Sequence, residues 1–156
     1  MPNNVTAKIK SAPRTLKILG GVFCVALIIA AVSFVILLNQ KPSVAVNGHR
    51  YTVHIADTGA LRAKGLSDTP SLPQKEGMLF VFQDATRSCF WMKDMQYSLD
   101  IIWLDANKQI VYMVQNVTPQ SFPDSFCTAT PARYVLELNA GEVKRSGMRI
   151  GQQVSF

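Results

Sequence analysis

Leu99-Asp100-Ile101-Ile102-Trp103-Leu104 is apolar at both odd and even positions, with Asp100 the one carboxylate inside it. Alternate side chains of a strand point to opposite faces, so a run apolar on both marks a central strand covered on both sides. The turn Asp105-Ala106-Asn107-Lys108 follows, then a further strand from Gln109 to Val117. Upstream, strands are expected at Met78 to Phe82 and Cys89 to Lys93, and downstream at Ala132 to Leu138. Val44 and Val46, the turn Asn47-Gly48, and then Tyr51, Val53 and Ile55 alternating with Thr52 and His54 read as a β-hairpin. Two short helices complete the pattern, one over Ala60 to Leu66 closed by Gly65 and one from Asn139-Ala140-Gly141 to Gly147, and Gln152 to Phe156 reads as a last short strand. The expected fold is mainly β, an antiparallel β-sandwich or roll of about eight short strands with two short helices.

Ahead of this domain lies Ile18 to Leu38, a run without a single charge. As a helix it spans about 30 Å, the thickness of a bilayer's hydrocarbon core. Lys8, Lys10, Arg14 and Lys17 precede it, with no acidic residue in the first 38 positions, so the positive-inside bias keeps the amino terminus cytoplasmic. The organisation expected is a basic cytoplasmic tail (1–17), a transmembrane signal anchor (18–38), a linker (39–43) and an extracytoplasmic β-domain (44–156). A cleaved signal peptide is the alternative, with Ser43-Val44-Ala45 at a plausible distance, although the apolar run is longer than the 7 to 15 residues usual for such signals. Either way the domain is exported.

The formal charge of +6 divides unevenly. The tail supplies four cations, and beyond it 12 lysines and arginines face 10 acidic residues, which leaves +2. Those cations are scattered, without a basic stripe, which argues against a nucleic-acid partner. The partners to expect are the membrane and a small ligand, an envelope polymer or another protein.

Cys24 lies in the apolar run, leaving Cys89 and Cys127 in the exported domain. There they either form a disulfide, favoured by an oxidising compartment, or remain two separate thiols. Two cysteines with His49 and His54 show none of the close spacings of structural zinc, so no metal and no cofactor is expected.

Polar residues within apolar strands are the candidate site. Asp100 shares a face with Ile102 and Leu104, and Glu137 shares one with Val135 and Arg133. Lys93 follows Phe90-Trp91-Met92, and Arg62 lies on the first short helix. Were the four to converge, they would form either a pocket or buried ion pairs that fix strand register. Trp91 beside Lys93 is placed to stack on a sugar or another flat ligand. No serine sits in a nucleophile elbow. The leading expectation is therefore a binding module. Its rivals are a hydrolase or lyase using Asp100 or Glu137 as base with Lys93 as electrostatic stabiliser, and an assembly protein acting through its membrane helix.

The strings Arg62-Ala63-Lys64-Gly65-Leu66, Gly77-Met78-Leu79-Phe80-Val81-Phe82, Phe90-Trp91-Met92-Lys93-Asp94-Met95, Leu99-Asp100-Ile101-Ile102 and Ala132-Arg133-Tyr134-Val135-Leu136-Glu137-Leu138-Asn139-Ala140-Gly141 occur in that order. Together they resemble the uncharacterised family called domain of unknown function 192, over nearly all of residues 44 to 156. The resemblance implies a small β-rich domain, often behind a signal peptide or membrane anchor, and brings no activity. Arg62, Lys93, Asp100 and Glu137 match family motif positions. Asp94 stands where the family commonly has Asn and joins the candidate pocket or ion-pair residues; Ser98 replaces a usual Pro, and Ser67 a usual Met. The segment around Cys127 lacks the second cysteine that many relatives carry there.

Overall fold

A computed structural model describes residues 27–36 and 40–156. Residues 27–36 form an α-helix (α1), exposed along its length, inside the apolar run 18–38. The remainder of that run and the basic tail lie outside the described residues. Among the described residues no helix is long and apolar enough to cross a membrane.

The β-domain, Lys41–Phe156, runs β1 (Ser43–Val46), β2 (His49–Ala56), α2 (Gly59–Lys64), β3 (Glu76–Thr86), β4 (Cys89–Phe90), β5 (Leu99–Leu104), β6 (Ile110–Val117), a 3-10 turn (Pro119–Ser121), β7 (Phe126–Cys127), β8 (Ala132–Asn139) and α3 (Glu142–Ser146). Six strands make one sheet in the order β1-β2-β3-β8-β5-β6, and β4 pairs with β7 in a separate ribbon. Instead of the antiparallel sandwich expected, the main sheet is mixed. β2 and β3 run parallel, because the connection between them carries α2 and returns the chain to the end from which β2 started. The other pairings are antiparallel.

The segment expected as a last strand closes the sheet. It forms two isolated bridges, Ala45↔Ser155 and Gln109↔Gln153. Ser155 and Ala45 exchange N–H···O bonds of 2.8 and 3.0 Å, and Val154 N donates to Lys108 O at 3.0 Å, so the chain end ties edge strand β1 to the start of edge strand β6. These bonds cover Ala45 on β1 and the chain from Lys108 to Ile110 at the start of β6, blunting part of each edge against pairing with other chains. They also give the sheet an inner and an outer face.

Each face has its own core. Inside, Val44, Tyr51, Ile102, Leu104, Leu136, Leu138 and Val154 pack together. Outside, Phe80, Ile101, Trp103 and Val135 are covered by Leu66, Leu72 and Met92 from the loops. Ile102 and Leu104 thus serve one core and Ile101 and Trp103 the other, and all six residues of β5 are buried.

Local chemistry sets the turns. Asn47 (φ 49°) and Gly48 (φ 77°) hold the two left-handed positions of the β1–β2 hairpin. The Thr58 hydroxyl accepts from Leu61 N at the start of α2, and Gly65 (φ 51°) ends it. The strand expected over Cys89 to Lys93 stops at Phe90, because the chain turns at Lys93 and Asp94, the latter at φ 57°, and buries Met92 in the outer core. Gly77 on β3 admits β8 closely: a Cβ there would sit 2.6 Å from the Glu137 carbonyl oxygen.

Candidate functional site

On the outer face, α2 and the segments around β4 leave a cavity of about 300 Å³ over β8 and β3. Its walls include Arg62, Phe80, Phe82, Phe90 and Trp91, and Glu137 contributes the carboxyl. Glu137 is 5% exposed. Desolvation by burial pushes its carboxyl from 4.5 up to about 8. Every fully sealed side-chain polar atom among the described residues has a hydrogen-bond partner. The Glu137 carboxyl has none there, so it is not sealed and opens on the cavity.

Arg62 supplies the cationic side. Its Nη1 donates to Asp57 O at 2.6 Å and Val81 O at 2.9 Å, and the guanidinium carbon lies 5.2 Å from the centre of the Phe82 ring. Those contacts fix the fork while Nε and Nη2 make no hydrogen bond among the described residues. No carboxylate pairs with it there, Glu137 included. Lys64, also on the wall, is engaged by Asp68 at 2.5 Å.

The aromatic wall is locked from behind. Phe90 meets Phe80 edge-on at 4.8 Å and Trp103 at 5.8 Å, and the Trp103 indole donates to Ser88 O and Oγ at 3.3 Å. A disulfide joins Cys89 to Cys127 across the β4–β7 ribbon, with Cα atoms 4.1 Å apart. Trp91, beside Phe90, is 54% exposed on the cavity wall.

Arg62, Lys93, Asp100 and Glu137 do not converge on one pocket. The cavity brings together Arg62, Trp91 and Glu137. Asp100 lies on the inner face, wholly buried, where Oδ1 accepts from Asn116 N at 2.9 Å and Oδ2 from Val143 N at 2.8 Å. Backbone donors from β6 and the first turn of α3 occupy both of its oxygens, a tie between elements. Lys93 and Asp94 are exposed, and neither side chain lines the cavity. Their carbonyls anchor the loop after α2, accepting from the Ser67 hydroxyl and from Asp68 N at 2.9 Å each.

One buried carboxyl escaped the strand-based reading. Glu142, 3% exposed, accepts from the Tyr51 hydroxyl at 3.0 Å and from Arg145 Nη1. It begins a five-residue helix after Gly141, where period-two alternation no longer signals burial. Among the described residues no group of three or more His, Cys, Asp and Glu side chains is clustered to hold a metal ion.

Fold and site together define a small mixed β-domain with an aromatic-walled cavity around a buried carboxyl. The chain belongs to the domain of unknown function 192 family, described as Uncharacterized ACR, whose model matches residues 42–156. Among solved structures it is similar to a protein of unknown function from Novosphingobium aromaticivorans, at 30% identity over 73% of this chain and 84% of that one, with a TM-score of 0.68. A Sinorhizobium meliloti structure described as a candidate transcription regulator is 33% identical over 69% of this chain and 82% of that one, with a TM-score of 0.66. No functionally curated protein matches.

Proposed function

We propose that the chain is a single-pass membrane protein whose β-domain faces the extracytoplasmic side and binds a small molecule in the cavity beside Glu137. The observation that carries the binding reading is Glu137 itself: a nearly inaccessible carboxyl that opens on a cavity and has no hydrogen-bond partner among the described residues. Burying such a group costs several kcal/mol unless something completes its hydrogen bonds. The uncharged run 18–38, its cationic flank and the Cys89–Cys127 disulfide support the placement.

Binding is favoured over hydrolysis or lyase chemistry by what surrounds the cavity. Of the groups such a mechanism would use beside Glu137, Asp100 is on the other face with both oxygens occupied, and Lys93, the electrostatic stabiliser, is exposed and away from the cavity wall. The wall serines are engaged too, Ser67 donating to Lys93 O and Ser88 accepting from Trp103.

Two experiments test the two halves. Protease added to intact cells should cut the β-domain after outer-layer permeabilisation but before membrane lysis; protection until lysis contradicts the topology. An NMR screen of chemically varied small molecules against the full-length chain should give hits whose shifts cluster on Arg62, Phe90, Trp91 and Glu137. Hits elsewhere, or none, contradict the binding reading.

A further inference from the structure

The cavity's two unsatisfied groups define a ligand. Resting on the binding reading above, we infer that the cavity takes a small, flat organic carboxylate, held by Arg62 at one end and by a hydroxyl against Glu137 at the other.

The carboxylate follows from Arg62. Arg62 is half-buried, its guanidinium fixed by two carbonyls through one nitrogen, while Nε and Nη2, which share the other edge of the planar fork, make no hydrogen bond among the described residues. That edge presents two parallel donors, the geometry that matches a carboxylate bidentately. Among the described residues Lys64 is paired with Asp68 while Arg62 pairs with no carboxylate, which suits the wall to a monoanion.

The hydroxyl follows from Glu137. A protonated carboxyl has one donor and spare acceptor capacity, and a hydroxyl answers both. A ligand ammonium is disfavoured by the unpaired Arg62 on the same wall. The flat body follows from the walls: Phe80, Phe82 and Phe90 bound the interior, and the half-exposed Trp91 indole leaves a ring face to cover. Arg62 and Glu137 line the same cavity of about 300 Å³ and form no salt bridge with each other.

The test is calorimetric titration of the full-length chain with three molecules sharing one skeleton: 3-(4-hydroxyphenyl)propanoate, the corresponding propanol and the corresponding propylamine. The carboxylate should bind at least about tenfold more tightly than the alcohol, the margin of one charge-assisted pair, and the amine most weakly. Arg62→Gln should bring carboxylate and alcohol to equal affinity, while Glu137→Gln keeps the preference, since an amide still donates and accepts. The comparison on the unmodified chain stands even where a variant folds poorly. Equal or tighter binding of the alcohol or amine overturns the inference, as does no binding of the carboxylate. If the NMR screen still finds other cavity ligands, the inference fails alone; if it finds none, the binding reading fails with it.

Discussion

Asp100 of β5 and Glu137 of β8 lie one register step apart on neighbouring strands and face opposite sides of the sheet, Asp100 paired with Leu138 and Glu137 with Ile101. Two carboxyls so close in the ladder meet opposite fates. On the inner face Asp100 takes two backbone donors and binds β6 and α3 to β5. On the outer face Glu137 receives nothing from the described residues and opens on a cavity. One carboxyl therefore ties elements of the fold together, and the other faces the cavity.

Asp100→Asn tests the structural half. The amide keeps one acceptor and turns an NH₂ toward a backbone N–H, so one buried donor loses its partner. Urea denaturation should show a loss of about 3 kcal/mol with an unchanged m-value. A loss under about 0.5 kcal/mol would remove Asp100 from its place as a tie.

Glu137 makes stability depend on pH. Its folded value of about 8 lies above the unfolded 4.5, so the native state holds a proton that the unfolded chain releases. That contribution is complete below about pH 4.5 and lost as pH rises through about 8. Arg62 and Lys64 on α2 share the cavity, and nearby Tyr97, its phenol raised chiefly by burial, is pushed further by Glu137. Glu137→Gln should therefore gain on the parent chain by a few kcal/mol between pH 5 and pH 9. Parallel stability profiles would contradict the buried, unpartnered carboxyl.

The Cys89–Cys127 link closes a separation of 38 residues. Replacing both cysteines by serine should cost about 4 kcal/mol by loop-closure entropy, read as a lower denaturation midpoint. Reductant should lower the midpoint of the parent chain and leave that of the double variant unmoved. Equal midpoints for parent and variant would show that the ribbon is held by its backbone pairing alone.

Gly77→Ala should cost about 3 kcal/mol, because the added methyl meets the Glu137 carbonyl oxygen at 2.6 Å and the Leu138 side chain at 2.7 Å, forcing β3 from β8. Gly48→Ala meets nothing within 4 Å and carries only the strain of φ 77°, about 1 kcal/mol. Thermal melts of the two variants should rank in that order.

An unbroken apolar run is enough to find β5, and alternation is enough to find the first hairpin, since both signals lie in neighbouring residues. Alternation also placed Asp100 with Ile102 and Leu104, and Glu137 with Val135. It could not show that those two faces are opposite, because that depends on the pairing of Asp100 with Leu138, far apart in the chain. The parallel run of β3 beside β2 was hidden for a related reason: period two carries no direction. The meeting of Arg62 with Glu137 depends on α2 folding back over the sheet, and nothing local to either residue encodes it. Lys93 looked buried as the continuation of an apolar string, yet the turn at Asp94 sends it to solvent.

The most direct measurement is a site-assigned carbon NMR titration of the Glu137 side-chain carboxyl in the full-length chain. A midpoint near 8, moving when a cavity ligand is added, is the expected result. A midpoint near 4.5, indifferent to every cavity ligand, would mean that Glu137 is solvated like any surface carboxylate and that the proposed site does not exist.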